Sequence, residues 1–282
     1  MNPGITNRLR PRILINIPIL NEIENIERLV RGVTGALLGY DYLLLIVDDG
    51  STDGTLEYLA RAMAEHPQRI ALLKNKKDRR GCQRGAALLA GLKWGLQNGD
   101  FDIFVEMDGD LSHRAEELPA GIETIARGAA DIAITSKYAP GSRITGRSRD
   151  RTIISVICNL AVRTLIRRDL RDFSNGYRFY NRAAAELPAR YAIRHGSPIY
   201  LTEVMAIWMK RRLKVVEIPG HYVGRDEGLS KVRLVDYIKA ALGVMEIAIR
   251  FHFTGFGQIA ASPATGSQQR ATSAREVEKL DG

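Results

Sequence analysis

The chain has 282 residues, of which 45% are hydrophobic and 26% charged; these proportions are typical of a folded globular protein and exclude a largely disordered chain. Lys and Arg number 41 against 32 Asp and Glu, so the net charge is +9. This excess indicates an anionic partner. Composition alone does not distinguish between nucleic acid, an anionic membrane surface and a phosphorylated small molecule. Two cysteines without metal spacing exclude a disulfide framework or zinc module and favour a reducing compartment.

The first half of the chain alternates between strand and helix patterns. Apolar runs predict the strands, and apolar residues spaced three or four apart predict the helices. The predicted order is strand 12–17, helix 22–38, strand 42–47, helix 55–64, strand 69–73, helix 85–97, strand 101–107, helix 116–127 and strand 131–135. This alternation predicts an α/β fold with a mostly parallel sheet flanked by helices, in which ligands bind beyond the carboxyl ends of the strands.

The second half of the chain is less regular. The predicted order is loop 137–150, helix 152–168, a strand and helix within 176–188, helix 200–211, strand 213–218, loop 220–231 and helix 232–250. The stretch from Lys137 to Arg182 contains eleven Lys and Arg but only three acidic residues, so we expect the anionic ligand to lie against it.

Two carboxylates follow the predicted strand 101–107. Because residues i and i+2 of an extended segment point the same way, Asp108 and Asp110 can both face one divalent cation. Mg²⁺ prefers one or two carboxylates, with water and substrate phosphates in the remaining positions. His113 lies nearby, but a single histidine in this place is more often a supporting or solvated residue than a ligand, and we leave it off the ligand set.

A second acidic motif, VDDGSTDGT at 47–55, places Asp48 and Asp49 at the end of a strand, with a glycine suited to a tight turn after them. Carboxylates in this position can accept hydrogen bonds from a nucleobase or a ribose. Asn21 and Glu22 follow the neighbouring strand, so the two loops together predict a nucleotide pocket.

Several motifs, taken in order, resemble a known group of enzymes. IPILNE (17–22), VDDGSTDGT (47–55), RRGCQRGAALLAG (79–91) and MDGDLSH (107–113) resemble the inverting nucleotide-sugar glycosyltransferases of the GT-A fold. The motifs of the second half resemble the dolichol- or polyprenyl-phosphate mannosyltransferase branch, the dolichol-phosphate mannose synthase family. These motifs are TSKYAPGSR (135–143), Arg151 with Ser155 and Asn159, DFSNGYRFY (172–180), Glu203 in LTEVM, and EIPGHYVGRDEGLSKV (217–232).

The resemblance implies a metal-dependent, inverting transfer of a hexose to polyprenyl or dolichyl phosphate, with GDP-mannose as the expected donor. A UDP-sugar donor (glucose, galacturonate or an aminosugar) with the same acceptor is left open, as is transfer to a saccharide hydroxyl. Nucleic-acid binding is disfavoured, since no aromatic stacking set accompanies the arginines between 143 and 151.

The resemblance also implies roles for the residues on the donor side. The residues that would hold the base and the ribose are Pro18, Asn21, Glu22, Asp48 and Asp49. Asp108 and Asp110 would hold Mg²⁺ or Mn²⁺ on the donor diphosphate, and together with Arg151 they form the predicted catalytic set.

On the acceptor side, the residues that would bind the lipid phosphate are Lys137, Arg151 and Ser155, and 137–150 is the predicted acceptor loop. The residues that would close over the phosphates, from a mobile loop at 220–231, are Arg225, Ser230 and Lys231. Lys137 departs from the family pattern, which usually has Arg here, so a point charge replaces a bidentate fork.

The predicted domain organisation is a basic extension (1–11), a GT-A domain (12–231), an amphipathic C-terminal helix (232–256) and a disordered tail (257–282). No apolar run approaches the ~18 residues needed to span a bilayer, and the N-terminus does not have the pattern of a signal peptide. We therefore expect a cytoplasmic protein, associated peripherally with the cytoplasmic face of a membrane.

A lipid acceptor requires that at least one of the apolar helices 152–168 and 232–250 lies at the membrane. The alternative for either helix is packing on the sheet. Whether a membrane partner subunit assists is left open.

Overall fold

The computed structural model describes residues 10–75, 84–146, 149–166, 169–224 and 234–257. The strands within these ranges are β1 (Arg12–Ile19), β2 (Asp41–Asp48), β3 (Ile70–Lys74), β4 (Ile103–Glu106), β5 (Ile132–Ser136), β6 (Arg143–Thr145), β7 (Arg178–Asn181), β8 (Val215–Pro219) and β9 (His221–Val223). The helices are α1 (Ile23–Ala36), α2 (Thr55–Glu65), α3 (Arg84–Asn98), α4 (Leu118–Ala126), α5 (Arg149–Leu165), α6 (Arg182–Arg190), α7 (Tyr200–Lys210) and α8 (Leu234–Ile249). The predicted tail and the predicted site residues Arg225, Ser230 and Lys231 lie outside the described residues.

Seven of the described strands form one sheet in the order β3-β2-β1-β4-β7-β5-β8. Each neighbouring pair is parallel except the two pairs that involve β7, which runs antiparallel to both β4 and β5. The prediction of a mostly parallel sheet flanked by helices is therefore confirmed. Because β1, β2 and β4 are parallel, the loops that follow them meet at one edge of the sheet.

The sheet is buried on both faces, as the continuous apolar runs predict. Alternate residues of β1 divide between two cores: Ile15 packs in the cluster that includes α1, α2 and α4, whereas Leu14 packs in the cluster that includes α3, α6 and α7. Helix α3 approaches β1 so closely that a Cβ on Gly91 would overlap the side chain of Asn16. This contact fixes the position of α3 beneath the ligand-binding edge.

The two loops predicted at 137–150 and 220–231 contain short strands, so this part of the prediction is wrong. Strands β6 and β9 pair in parallel as a separate two-stranded sheet. Each has only three residues and no buried apolar side chain, and the paired residues are 78 positions apart, so their pairing is not a local signal.

None of the helices in the described ranges combines the length and the apolar character that a membrane crossing requires.

Candidate active site

The loops after β1 and β2 are joined by hydrogen bonds at the edge of the sheet. Asn21 adopts a left-handed backbone conformation with φ of 55°, which asparagine tolerates better than most residues. Its side-chain oxygen accepts a hydrogen bond from the Thr52 N–H at 2.8 Å, and its own N–H donates to Ser51 Oγ at 2.8 Å. Asn21 therefore shapes the predicted nucleotide pocket by holding one loop against the other.

The two neighbouring aspartates have different roles in this pocket. Asp48 is buried, and its carboxylate accepts hydrogen bonds from the N–H groups of Gly50 and Ser51, so it holds the turn. Asp49 is partly exposed, and its Oδ1 accepts a hydrogen bond from Asn75 Nδ2 at 2.7 Å. Of the two, Asp49 is the carboxylate that a nucleotide can reach.

Glu22 and Pro18 lie beside this pair of loops. Glu22 Oε2 accepts a hydrogen bond from Asn25 Nδ2 at 2.7 Å, and the Glu22 N–H donates to Thr55 Oγ1 at 3.0 Å. Pro18 is near the end of β1, in register with Val47 of β2. The structure thus brings the base- and ribose-binding residues predicted from sequence to one edge of the sheet.

The acidic turn of Asp108, Gly109 and Asp110 begins two residues after β4. A Cβ on Gly109 would lie 2.9 Å from Ile19 Cγ2, so the turn packs tightly on the end of β1. Asp110 Oδ1 accepts the Ser112 N–H at 3.0 Å, and Leu111 has a left-handed φ of 60°. The turn is therefore shaped locally, directly beside the nucleotide loops.

His113 supports the backbone of this turn. It is buried and stacks on Tyr177, and its Nδ1 accepts the Asp108 N–H at 3.2 Å. The proton must then be on Nε2, which donates to Asn175 Oδ1 at 2.9 Å. Burial lowers the pKa of His113, although the carboxylates of Asp108 and Asp110 act in the opposite direction.

The donor set of the turn is compatible with a Mg²⁺ or Mn²⁺ ion. Within the described part of the chain, no group of three or more His, Cys, Asp and Glu side chains is arranged to hold a metal. A pair of carboxylates is enough where substrate phosphates and water complete the octahedron. Asp108 already has a cationic partner, since its Oδ1 forms an ion pair with Nη2 of Arg84.

The predicted acceptor side contains Lys137, the residue that follows β5. Its Nζ lies 3.7 Å from Oδ2 of Asp172 and 3.5 Å from Oγ of Ser174. Asp172 is fully buried and also accepts the N–H groups of Ser174 and Asn175. Lys137 is therefore held in place by a buried carboxylate, and its charge is partly balanced before any ligand binds.

Ser155 lies close to this lysine. Its Oγ accepts a hydrogen bond from the Tyr138 hydroxyl at 2.9 Å, and Tyr138 is the next residue after Lys137. Arg151 lies one turn earlier in α5. Asn159 links the two predicted acceptor residues, which are 18 positions apart: its Nδ2 donates to the Ser155 carbonyl and to Oγ of Ser174, the hydroxyl that Lys137 Nζ also contacts.

A cavity of about 800 Å³ opens beside the acidic turn. Asp110 and Arg114 line one side of it, and Asn25 and Arg28 of α1 line another. Gly224, the last described residue before 225–233, also lines it, and the preceding Val223 N–H donates to the Ser112 carbonyl at 3.0 Å. Gly224 therefore lines the same cavity as Asp110, and the predicted phosphate-closing residues lie outside the described residues.

Three residues of this site were not predicted from the sequence: Asn75, Tyr138 and Arg84. Asn75 is a polar residue that directly follows β3, and this position at the end of a parallel strand could have indicated a pocket residue. Tyr138 lies in the motif TSKYAPGSR and Arg84 in RRGCQRGAALLAG, but their partners Ser155 and Asp108 come from other elements, so only the fold reveals the contacts.

The mostly parallel sheet with its acidic turn beyond β4 has the α/β architecture of the GT-A fold, and the comparisons agree. The chain of glucosyl-3-phosphoglycerate synthase from Mycobacterium tuberculosis, in complex with Mn²⁺, uridine diphosphate and glucosyl-3-phosphoglycerate, has a similar fold with a TM-score of 0.58. It is 18% identical, and the match covers 86% of this chain and 80% of that chain.

A model described as Glycosyl transferase family 2 matches residues 15–187, so the chain belongs to this family and is a glycosyltransferase. The chain is 34% identical over 247 residues to polyprenol monophosphomannose synthase of Mycolicibacterium smegmatis, covering 87% of this chain and 90% of the relative. It is also 34% identical over 224 residues to undecaprenyl-phosphate mannosyltransferase of Micrococcus luteus, covering 78% and 87%. The resemblance found in the motifs is confirmed.

Proposed function

We propose that this enzyme transfers mannose from GDP-mannose to a polyprenyl phosphate, with inversion, in a reaction that depends on Mg²⁺ or Mn²⁺. The main supporting observation is the pairing of an acidic turn at the donor edge with a basic, hydroxyl-lined acceptor site. The names of the two relatives at 34% identity support the same acceptor and sugar. The proposed catalytic domain is 12–231, followed by the C-terminal helix region 232–256.

On the donor side, the loops that contain Asn21 and Asp49 hold the base and the ribose, with Pro18, Glu22 and Asp48 shaping the pocket. Asp108 and Asp110 hold the divalent cation against the donor diphosphate. The cation, when bound, neutralises charge that develops on the leaving diphosphate. The Mn²⁺ complex of the structural neighbour described above is consistent with this assignment for that fold.

On the acceptor side, Lys137, Ser155 and Arg151 bind the lipid phosphate. Lys137 supplies a point charge, and its ion pair with Asp172 keeps the ammonium in position. Ser155 Oγ already accepts a hydrogen bond from Tyr138, so its own proton is available to a phosphate oxygen. Arg225, Ser230 and Lys231 follow the anchored Gly224 and close over the phosphates of both substrates.

The chemistry needs no general base. A phosphate monoester has its second pKa near ~6, so the acceptor is largely a dianion at neutral pH. A phosphate oxygen attacks the anomeric carbon, the bond from that carbon to the donor diphosphate breaks, and GDP leaves. An α-linked donor thus gives a β-linked lipid phosphate sugar. The protein contributes alignment for in-line displacement and neutralisation of two anions.

The apolar substrate requires contact with a membrane, and an exposed apolar surface is present for it. Four exposed side chains share one face of the C-terminal helical region: Leu242, Met245, Ile249 and Phe253. Val156 and Leu160 of α5 are also exposed, and α5 contacts α8. We assign these side chains to peripheral association with the cytoplasmic face of the membrane.

Donor competition tests the proposal. Transfer of labelled sugar to polyprenyl phosphate is measured with GDP-mannose, UDP-glucose and UDP-galacturonate side by side, each with and without EDTA. We expect label in the lipid phase from GDP-mannose only, with loss in EDTA and recovery on adding Mg²⁺ or Mn²⁺. Transfer from a UDP-sugar alone would favour the second candidate, a UDP-sugar donor on the same acceptor. Transfer that is unchanged in EDTA would contradict the metal assignment.

A further inference from the structure

Arg84 is a cation inside the donor site that the proposed mechanism does not use. It is the first residue of α3, and its Nη2 forms an ion pair with Oδ1 of Asp108. In the described part of the chain, neither its Nε nor its Nη2 has a hydrogen-bond partner of good geometry, although both atoms are buried. The guanidinium is therefore held mainly by the charge of Asp108.

The backbone around Arg84 is fixed by packing, and a neighbouring glycine leaves space for the Arg84 side chain. A Cβ on Gly85 would overlap Tyr200 and the Ser197 carbonyl, so the start of α3 is locked against α7. A Cβ on Gly176 would overlap the Arg84 guanidinium itself. Gly176 has no positive φ that would demand glycine, so the missing side chain serves to leave space for Arg84.

A second carboxylate that can accept a hydrogen bond comes two residues before Asp108 in the chain. Glu106, at the end of β4, is fully buried, and its Oε1 accepts hydrogen bonds from the hydroxyls of Tyr180 and Tyr200 at 3.1 and 3.3 Å. Its Oε2 has no hydrogen-bond partner among the described residues. Burial raises the pKa of Glu106, whereas the charge of Arg178, the hydrogen bonds from the two tyrosine hydroxyls and the charge of Arg84 act in the opposite direction.

We propose that Arg84 is an internal counter-ion that holds Asp108 while no divalent cation is bound, and that it turns to Oε2 of Glu106 when the cation binds. A guanidinium and a divalent cation repel each other and compete for the same carboxylate. Arg84 therefore keeps the free enzyme's affinity for the metal low and favours arrival of the metal together with the donor diphosphate. This inference rests on the proposed role of Asp108 as a metal ligand.

Mn²⁺ binding to the full chain without any nucleotide tests the proposal, with titration followed by electron paramagnetic resonance. We expect Arg84→Gln to bind Mn²⁺ about tenfold or more tightly than the wild type, because the competing cation is gone. Gly176→Ala should also tighten binding, by a smaller factor, since its methyl group displaces the guanidinium but leaves the charge. Circular dichroism and thermal melting confirm that each variant is folded.

Two matched controls separate this effect from net charge and from added bulk. Arg61→Gln removes one exposed positive charge from α2, and Gly35→Ala adds a methyl group where no atom lies within 4 Å. Both should bind Mn²⁺ as the wild type does. If Arg84→Gln binds Mn²⁺ no more tightly than Arg61→Gln, the proposal is overturned, and the proposed function stands as long as Asp108→Asn weakens binding. If Asp108→Asn binds Mn²⁺ normally, the metal role of Asp108 also fails.

The second position of Arg84 is tested by a double-mutant cycle with Glu106→Gln, which can still accept from both tyrosine hydroxyls. We expect Glu106→Gln to weaken Mn²⁺ binding severalfold in the wild type and to have little effect in the Arg84→Gln background. An equal weakening in both backgrounds would mean that Glu106 acts only through its own charge, and would overturn its role as the second partner of Arg84.

Discussion

The proposed donor edge and the proposed acceptor side of this glycosyltransferase are stabilised in different ways. At the donor edge, short loops after neighbouring parallel strands bond to each other, as Asn21 does to Ser51 and Thr52. On the acceptor side, one buried residue, Asp172, joins segments that are distant in sequence. Its carboxylate forms an ion pair with Lys137, and its backbone N–H donates to Oε1 of Glu217 at 2.9 Å. The donor edge is thus built from local motifs, and the acceptor side depends on a single central residue.

The largest effect should come from the acidic turn. Asp110→Asn keeps the shape of the side chain and removes one carboxylate from the proposed metal pair, so kcat/KM should fall by about 10³-fold or more. Steady-state transfer assays and a thermal melt measure activity and folding together. Asp41→Asn, at the opposite end of the parallel strands, is the matched control and should keep full activity. Normal turnover by Asp110→Asn would remove the metal assignment.

A large effect on stability is expected at the centre of the acceptor side. Asp172→Asn leaves the Lys137 ammonium without its buried partner, so the free energy of unfolding should fall by about 3 kcal/mol. Urea denaturation measures this loss. Asp169→Asn, which changes an exposed aspartate three residues earlier, should shift the same quantity by less than about 1 kcal/mol. Equal shifts in the two variants would contradict the central role of Asp172.

Replacing Lys137 should weaken binding of the acceptor and leave binding of the donor nearly unchanged. Lys137→Gln removes a charge from the acceptor site, so the KM for polyprenyl phosphate should rise about tenfold while the KM for GDP-mannose stays within twofold. Lys137→Arg keeps the charge and should recover most of the affinity. A rise in the donor KM as large as that in the acceptor KM would show that the two sites are not separable in this way.

The smallest effect concerns the membrane surface. Leu160→Glu and Leu242→Glu place a charge on the exposed apolar face, so vesicle co-sedimentation should fall severalfold while turnover of a short-chain acceptor in detergent is kept. Leu38→Glu changes a still more exposed leucine in a different part of the molecule and serves as the control. If all three variants bind vesicles alike, the membrane surface lies elsewhere.

The contrast between locally built loops and contacts between distant segments also explains which features could be predicted from the sequence. Apolar runs and the polar residues that follow them predicted the strands up to β5 and the acidic turn, because strand burial and loop position are local signals. The antiparallel insertion of β7 and the pairing of β6 with β9 join segments that are far apart in sequence, so no local pattern could predict them.

The same holds for individual residues: local motifs predicted which residues belong to the site, but not which contacts they make. Asp48 and Asp49 were predicted as a pair for the nucleotide pocket, yet only the structure separates the buried residue that holds the turn from the partly exposed one. Lys137 was predicted from a motif, whereas its partner Asp172 and the contact of Arg84 with Asp108 depend on how distant elements pack.

The most direct test of the account compares two acceptors that differ only in the phosphate. Labelled GDP-mannose is incubated in detergent with Mg²⁺ and either polyprenyl phosphate or the free polyprenol. Because the acceptor site supplies charge and the reaction uses no general base, we predict lipid-linked label with the phosphate and none with the alcohol. Comparable label with both acceptors would contradict the account, since transfer to a hydroxyl would require a base that this mechanism does not include.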